Sequence, residues 1–160
     1  MPHKLHITMA VEPIFRENVR PFYKSVLNKK DVVRGVPFKI IVQAKNIGDK
    51  EFPGGKQDTI IHYAGGAFTR ATPVDMPPIG VDEVQVIYED TFVPLSEGSA
   101  NVELKIKAKD GEKVEGYQQR MDKPIRTNGW VDLFYVINFE HAVMMMQLER
   151  LSSLMERRGK

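Results

Sequence analysis

The sequence contains no cysteine, and this absence removes several chemistries at once. A chain without cysteine forms no disulfide, builds no thiolate metal site and has no cysteine nucleophile. An excess of one charge is also lacking, because 23 Lys and Arg stand against 21 Asp and Glu, for a formal net charge of +2. A dedicated nucleic-acid binder usually carries a strong basic excess, so no nucleic-acid partner is expected.

A long uninterrupted apolar segment is missing as well. The most apolar stretch, residues 133–148, is broken by Asn138, Glu140, His141 and Gln147. A membrane-spanning helix needs about 20 mostly apolar residues, so none is expected. The first residues lack the apolar centre of a signal peptide. The compartment stays open: a cytoplasmic chain is favoured, and an extracellular one would follow if a leader had been removed.

The motifs of common catalytic sites are absent. The four histidines lack metal-ligand spacing, and the chain has no Gly-x-Ser-x-Gly elbow and no phosphate-binding loop. We therefore expect no catalytic residue, no metal ligand and no cofactor, and we expect that the chain is not an enzyme. Acidic pairs at Asp82-Glu83 and Glu89-Asp90 are more typical of a solvated face, and a hydrolase with a carboxylate site is the third functional hypothesis.

What the sequence does have is a succession of alternating segments. Apolar and polar residues alternate at period two in several short stretches, which is typical of strands with one buried face. These stretches are residues 5–11, 38–45, 59–63, 81–93 (with a possible bulge) and 102–109, and residues 14–35 form an irregular insertion. Asp110-Gly111 predicts a hairpin, with a returning strand over 112–119 at a sheet edge. The pattern predicts a mainly β fold, an antiparallel sandwich of about seven strands over residues 1–129.

The last thirty residues change character. Apolar residues recur there at a four-three spacing that helices use for packing. This apolar seam consists of Trp130, Phe134, Ile137, His141, Met144, Leu148, Leu151 and Met155. It predicts a C-terminal α-helix over about residues 140–157, whereas residues 131–139 suit a strand and a helix equally well. Residues 130–160 are therefore predicted to be a helical segment for packing or oligomerisation.

A helix with such a seam needs an apolar partner. Burying each large side chain contributes about 1.5–3 kcal/mol. The sandwich itself, a second copy of the chain or a neighbouring protein could each supply the partner surface. The sequence leaves these alternatives open.

A family resemblance rests on the middle of the chain. The segment over residues 36–50, VPFKIIVQAKNIGDK, resembles the strand and Asn-x-Gly turn that begin CARDB-like and related immunoglobulin-like domains of prokaryotes. The following segments fit the same order, over about residues 36–119: 59–63, 76–80, 81–93, 95–98 and 101–109. The resemblance implies an immunoglobulin-like accessory module that acts through interactions and carries no chemistry of its own.

These observations predict a non-catalytic protein–protein interaction or assembly module. It would self-associate or dock onto a larger protein assembly through the apolar seam, and loops 46–58 and 64–80 would form a recognition surface around Asn46, Phe52 and Phe68. A β-sandwich module that binds a small ligand or carbohydrate is the alternative, because aromatic residues on exposed loops would suit it.

A row of lysines has two explanations. Lys105, Lys107 and Lys109 occupy alternate positions of the clearest predicted strand. Such a row usually keeps the open face of a sheet soluble, and it could also bind a small anion.

Overall fold

The computed structural model describes residues 2–14, 31–65, 70–119 and 122–138, and, beyond these, Glu140, Met144, Gln147 and Leu151. Its strands in chain order are β1 (His3–Pro13), β2 (Asp31–Val33), β3 (Phe38–Asn46), β4 (Ile60–Gly65), β5 (Arg70–Pro73), β6 (Val84–Phe92), β7 (Gly98–Lys105), β8 (Val114–Tyr117), β9 (Arg126–Thr127) and β10 (Gly129–Ile137). The mainly β prediction is confirmed. Residues 15–30 of the predicted irregular insertion fall outside the described residues.

The strands of the described residues form two five-stranded sheets. The first sheet has the order β6-β3-β1-β8-β9, and the second has the order β2-β10-β7-β4-β5. The prediction of about seven antiparallel strands is wrong in both number and direction. β1 pairs with β8 in parallel, and β10 pairs with β2 in parallel, so each sheet is mixed. Alternation along a strand specifies its buried face and carries no information about the direction of its neighbour.

The pairing of β1 with β3 shows how alternation builds the first sheet. The two strands are antiparallel over nine register pairs, from Leu5 opposite Asn46 to Pro13 opposite Phe38. Leu5, Ile7 and Val42 lie on the inner face and are almost completely buried. A shift of one residue would turn this apolar row toward solvent, so the pattern itself fixes the register.

Aromatic rings fill the space between the sheets. Phe38 of the first sheet lies 5.4 Å from Phe134 of the second, measured between ring centroids. Tyr63 of the second sheet meets Phe92 of the first edge to face at 5.6 Å. Such pairs contribute about 0.5–1.5 kcal/mol beyond the burial of their area. The two sheets therefore share one core, as in a β-sandwich.

β6 contains the bulge that its length suggested. Val42 pairs with Tyr88 and the next residue, Gln43, pairs with Val86, so that Ile87 faces no single partner. The extra residue lets Ile87 point inward, where it is 5% exposed. A bulge bends its strand and increases the local twist.

The turn predicted at Asp110-Gly111 forms, but it does not produce a hairpin. The turn itself forms, because Gly111 N–H donates to the carbonyl of Ala108 at 3.0 Å and Gly111 has a φ of 77°. β8 then crosses to the other sheet instead of returning beside β7. Both sides of β7 are already paired, with β4 and β10, so no edge remains for β8. The edge prediction for residues 112–119 is also wrong, since β8 lies between β1 and β9.

The start of the C-terminal segment is a strand. β10 pairs with β7 from Gly129 to Val136, which settles the open alternative for residues 131–137 and places this part of the predicted helical segment in the second sheet. Beyond Asn138 the described residues are Glu140, Met144, Gln147 and Leu151, each with helical backbone and an exposed side chain. The predicted helix over 140–157 otherwise falls outside the described residues.

Candidate interaction surface

The apolar seam divides into a buried and an exposed part. Trp130 and Phe134 are 0% exposed and face the core from β10, and Ile137 is half-buried. Met144 is 58% exposed and Leu151 is 55% exposed. The remaining seam residues, His141, Leu148 and Met155, lie outside the described residues. Trp130 and Phe134 are therefore core residues of this chain, and among the described seam residues Met144 and Leu151 are the exposed ones.

Trp130 is held where β8 approaches the start of β10. A methyl group on Gly116 of β8 would lie 2.0 Å from the carbonyl oxygen of Gly129 and 3.2 Å from Cβ of Trp130. Glycine is thus required for this close approach of two backbones. The indole Nε1 of Trp130 is buried and has no hydrogen-bond partner in the part of the chain that the structure describes. The residue anchors the sandwich through packing.

β10 carries a second apolar row that points away from the core. Leu133 is 36% exposed and Tyr135 is 47% exposed, while Val131 and Ile137 at the ends of the same row are half-buried. We call these four residues the outer row of β10. The four-three spacing obscured this row, and a period-two interpretation of residues 129–137 would have found it. This row stands on the strand that directly precedes the C-terminal segment in the sequence.

Asn46 organises the loops that were predicted as a recognition surface. Its side-chain Nδ2 donates to the carbonyls of Lys50 at 2.8 Å and Ile79 at 2.9 Å. Its Oδ1 accepts from Gly48 N–H at 3.0 Å. The residue is 1% exposed. Asn46 therefore satisfies the backbone of two loops and joins them, so its side chain is structural.

Phe52 is also part of the core. It is 0% exposed, and its ring meets the ring of His3 edge to face with centroids 5.3 Å apart. Its backbone pairs with Ile79, which closes loop 46–58 against loop 64–80. Phe68 lies outside the described residues. Burial of Phe52 removes one of the two aromatic residues on which the carbohydrate-binding alternative depended.

The acidic residues considered for a hydrolase do not face each other across a cleft. Asp82 and Glu83 belong to the turn before β6, where Glu83 N–H donates to the carbonyl of Gly80. Glu89 forms an ion pair with Lys39 on the outer face of the first sheet. Asp90 accepts a hydrogen bond from the Tyr88 hydroxyl at 3.1 Å. This separation lacks the paired geometry that glycoside hydrolysis needs.

Tyr63 of β4 and Tyr88 of β6 approach each other between the two sheets, with ring centroids 6.5 Å apart. Burial raises the pKa of Tyr63 far above its usual value. Burial is also the largest cause that raises the pKa of Tyr88. Both hydroxyls therefore stay protonated at neutral pH, so they serve as hydrogen-bonding groups and not as nucleophiles.

Metal sites and membrane-spanning helices are both absent from the described residues. No group of three or more His, Asp or Glu side chains there could hold a metal ion. Within the same part of the chain, no helix has the length and apolar character needed to cross a membrane.

Comparison with known proteins gives fold neighbours only. No family model matches the sequence, and no curated protein matches it. The chain is similar to the crystal structure of the CARDB domain of the PF1109 protein from Pyrococcus furiosus in complex with di-metal ions, with 14% identity and a TM-score of 0.45 over 85% of this chain and 88% of that one. A solution NMR structure of the same domain gives 14% identity and a TM-score of 0.43 over 86% and 97%. Both structures are CARDB domains, the family that residues 36–119 of the sequence resemble.

Proposed function

We propose that this chain is a non-catalytic interaction module that self-associates through the helical segment following β10. The observation that carries the proposal is the exposure of Met144 and Leu151, two large apolar side chains seven residues apart, or about two helical turns. On a helix this spacing puts both side chains on one face. A second copy of the chain would cover them.

A helix start directly after β10 supports the proposal. The side-chain Oδ1 of Asn138 accepts from the backbone N–H of Glu140 at 2.7 Å, which is the geometry of a helix N-cap. A carboxylate at Glu140, in the first turn, interacts favourably with the positive end of the helix dipole. The Asn138 amide is held in turn by Glu97 at 2.8 Å, so the cap is tied to the loop before β7.

Energetics indicate how much surface the association needs. Met144 and Leu151 are each about half exposed, so burying what remains contributes about 1 kcal/mol per side chain. A two-fold symmetric pair uses each residue twice, which gives about 4 kcal/mol. Association costs about 4–15 kcal/mol in lost freedom, so these two residues alone are insufficient. The proposal therefore includes Leu148 and Met155 of the apolar seam, which share the same predicted face.

The outer row of β10 supplies further apolar area. Leu133 and Tyr135 stand on the strand that leads into the helical segment, and both are at least one-third exposed. Tyrosine suits an interface because its ring is large and rigid and its hydroxyl can stay in water. The flexible side chain of Met144 adapts readily to an irregular partner surface.

Truncation tests the proposal, provided that the cut spares the sandwich. A chain that ends at Gly129 would lose β10 and with it the core residues Trp130 and Phe134. A chain that ends at Asn138 retains every described strand. We expect multi-angle light scattering to give a dimer or larger species for the whole chain and a monomer for the truncated chain, with matching far-UV circular dichroism of the strands.

A monomeric whole chain over the accessible concentration range would refute self-association. If the truncated chain fails to fold, the whole chain with Met144→Glu and Leu151→Glu provides the same comparison without removing backbone. Both side chains are exposed, so these substitutions leave the sandwich core untouched.

A further inference from the structure

The end of the sandwich at which β7 ends and β10 begins is not needed for self-association, yet it contains a basic cleft. The cleft has a volume of about 450 Å³ and lies between the end of β7 and β9. Its charged lining residues are Lys56, Lys105, Lys107, Arg126, Glu103 and Glu112. Among the described lining residues, four cations and two carboxylates give a formal charge of +2.

The backbone explains why the lysines point into this cleft. Leu104, Ile106 and Ala108 are at most 2% exposed, so the intervening side chains of Lys105 and Lys107 must point outward. The extended course continues past β7, because Ile106 N–H donates to the carbonyl of Asn128 at 2.9 Å. Lys56 joins from the facing loop, where its N–H donates to the carbonyl of Lys107 at 2.7 Å.

Two of the four cations are available to a ligand. Arg126 donates to Glu103 at 3.1 Å, and the Lys107 ammonium lies 3.1 Å from Asp58. In the described part of the chain, no carboxylate lies within 4.0 Å of the Lys56 or the Lys105 ammonium. Uncompensated cations in a concave site attract anions, since their fields add within the cleft.

A neighbouring cleft serves as an internal comparison. It is larger, about 890 Å³, and it shares Lys56 with the first. Its described charged lining residues are Lys56, Lys109, Asp58 and Asp75, whose formal charges sum to zero. The electrostatic preference for an anion therefore belongs to the smaller cleft and not to the lysine row as a whole.

We propose that this cleft binds an extended acidic peptide whose carboxylates occupy alternate positions. Side chains two residues apart on an extended chain are about 6.6 Å apart, and Lys105 and Lys107 have the same separation along their own segment. One peptide carboxylate would meet the Lys105 ammonium, and the carboxylate two residues further on would reach Lys107, whose exposed ion pair with Asp58 holds it only weakly. The described residues of the cleft lining include no aromatic side chain on which nucleic-acid bases could stack. Arg126 is already paired with Glu103, so its planar fork is not open to a phosphate.

The test uses the whole chain and a fluorescein-labelled peptide of alternating Glu and Thr, measured by anisotropy at low salt. A matched peptide with Gln in place of Glu, and a labelled single-stranded DNA of equal charge, are the two comparison probes. We expect saturable binding of the Glu peptide, weakened by added salt, and affinity for the Gln peptide and the DNA lower by at least about tenfold.

Paired substitutions locate the site. Lys56→Gln with Lys105→Gln should weaken peptide binding by about tenfold, because two exposed charge pairs are lost. Lys45→Gln with Lys123→Gln removes the same charge from two exposed lysines outside the cleft and should change binding by less than about twofold. Absence of saturable binding, an equal loss in both double variants, or DNA binding as tight as that of the Glu peptide would each overturn the proposal. None of these variants touches the helical segment, so the result is independent of self-association.

Discussion

The imidazole Nε2 of His3 lies 2.7 Å from Oδ2 of Asp110, joining the first strand of the domain to the turn that precedes β8. The His3 side chain is 1% exposed, whereas that of Asp110 is 36% exposed. The same histidine ring packs edge to face on Phe52, so one residue ties three separate segments together. This contact helps to hold β1 in register with β8.

The pH dependence of folding should reveal the Asp110 contact. Partial desolvation raises the pKa of Asp110, but the hydrogen bond from Glu112 N–H and the contact with His3 outweigh it and hold the pKa below its usual value of 3.8. The folded state therefore binds fewer protons than the unfolded state, and the contribution is lost as pH falls through the lowered pKa. Between about pH 5 and about pH 3, Asp110→Asn should flatten the decline in the free energy of unfolding.

Urea denaturation across that pH range provides the measurement. Asp49→Asn is the control, because Asp49 is exposed and the contact with His3 is made by Asp110. Identical pH profiles for the wild type and Asp110→Asn would contradict the assignment.

Two adjacent residues of β10 should differ strongly in their effect on stability. Phe134 is fully buried against Phe38, and Tyr135 is 47% exposed on the opposite face. Phe134→Ala should lower the free energy of unfolding by about 3–5 kcal/mol, since it removes a core ring and leaves a cavity. Tyr135→Ala should cost less than about 1 kcal/mol in dilute protein. Equal costs in chemical denaturation would contradict the strand assignment of this segment.

The close approach of β8 to β10 predicts that Gly116 does not tolerate a side chain. In Gly116→Ala the added methyl would meet the backbone oxygen of Gly129, which has no flexible end that could move aside. We expect a loss of about 3 kcal/mol or failure to fold, measured by thermal and urea denaturation. In Gly80→Ala the nearest atom is the flexible end of Glu83, 3.1 Å away, so that control should remain near wild-type stability. A stable Gly116→Ala would show that the two strands are farther apart.

Asn46 should behave as a structural residue and not as a recognition residue. Asn46→Ala leaves the carbonyl of Ile79 without its buried side-chain donor and removes the acceptor of Gly48 N–H. We expect a loss of about 1–3 kcal/mol in the free energy of unfolding and faster amide exchange at Gly48. Asn101→Ala, on an exposed position of β7, is the matched control and should be nearly neutral. Unchanged exchange at Gly48 would contradict this role.

The alternation of apolar and polar residues made the longest strands predictable from the sequence. The order and direction of the strands in each sheet were not predictable. The burial pattern of β3 repeats every second residue, so its extent and inner face followed from the sequence. The parallel partner of β1 did not follow, because β8 reaches it from a turn that would equally suit a hairpin. For residues 130–137, the strand was one of two open alternatives, since an apolar run satisfies both periodicities.

The residues of the candidate interaction surface were predictable only in part, because a residue's position in a loop or segment does not show whether its side chain is buried. An aromatic residue in a loop can pack inward, and Phe52 does so where its loop folds back onto Ile79. The sequence identifies a loop, but it does not show which side chain of that loop packs into the core. Met144 and Leu151, which the spacing did identify, are the described seam residues that remain exposed.

Sedimentation velocity over a concentration series tests the central claim most directly. The wild type should sediment as an associating species, and Met144→Glu with Leu151→Glu should raise its dissociation constant by at least about tenfold, because charges would be buried at the apolar contact. Gln147→Glu, an exposed polar position on the same stretch, should leave association nearly unchanged. A wild type that stays monomeric, or a double variant that associates as tightly as the wild type, would contradict self-association through this segment.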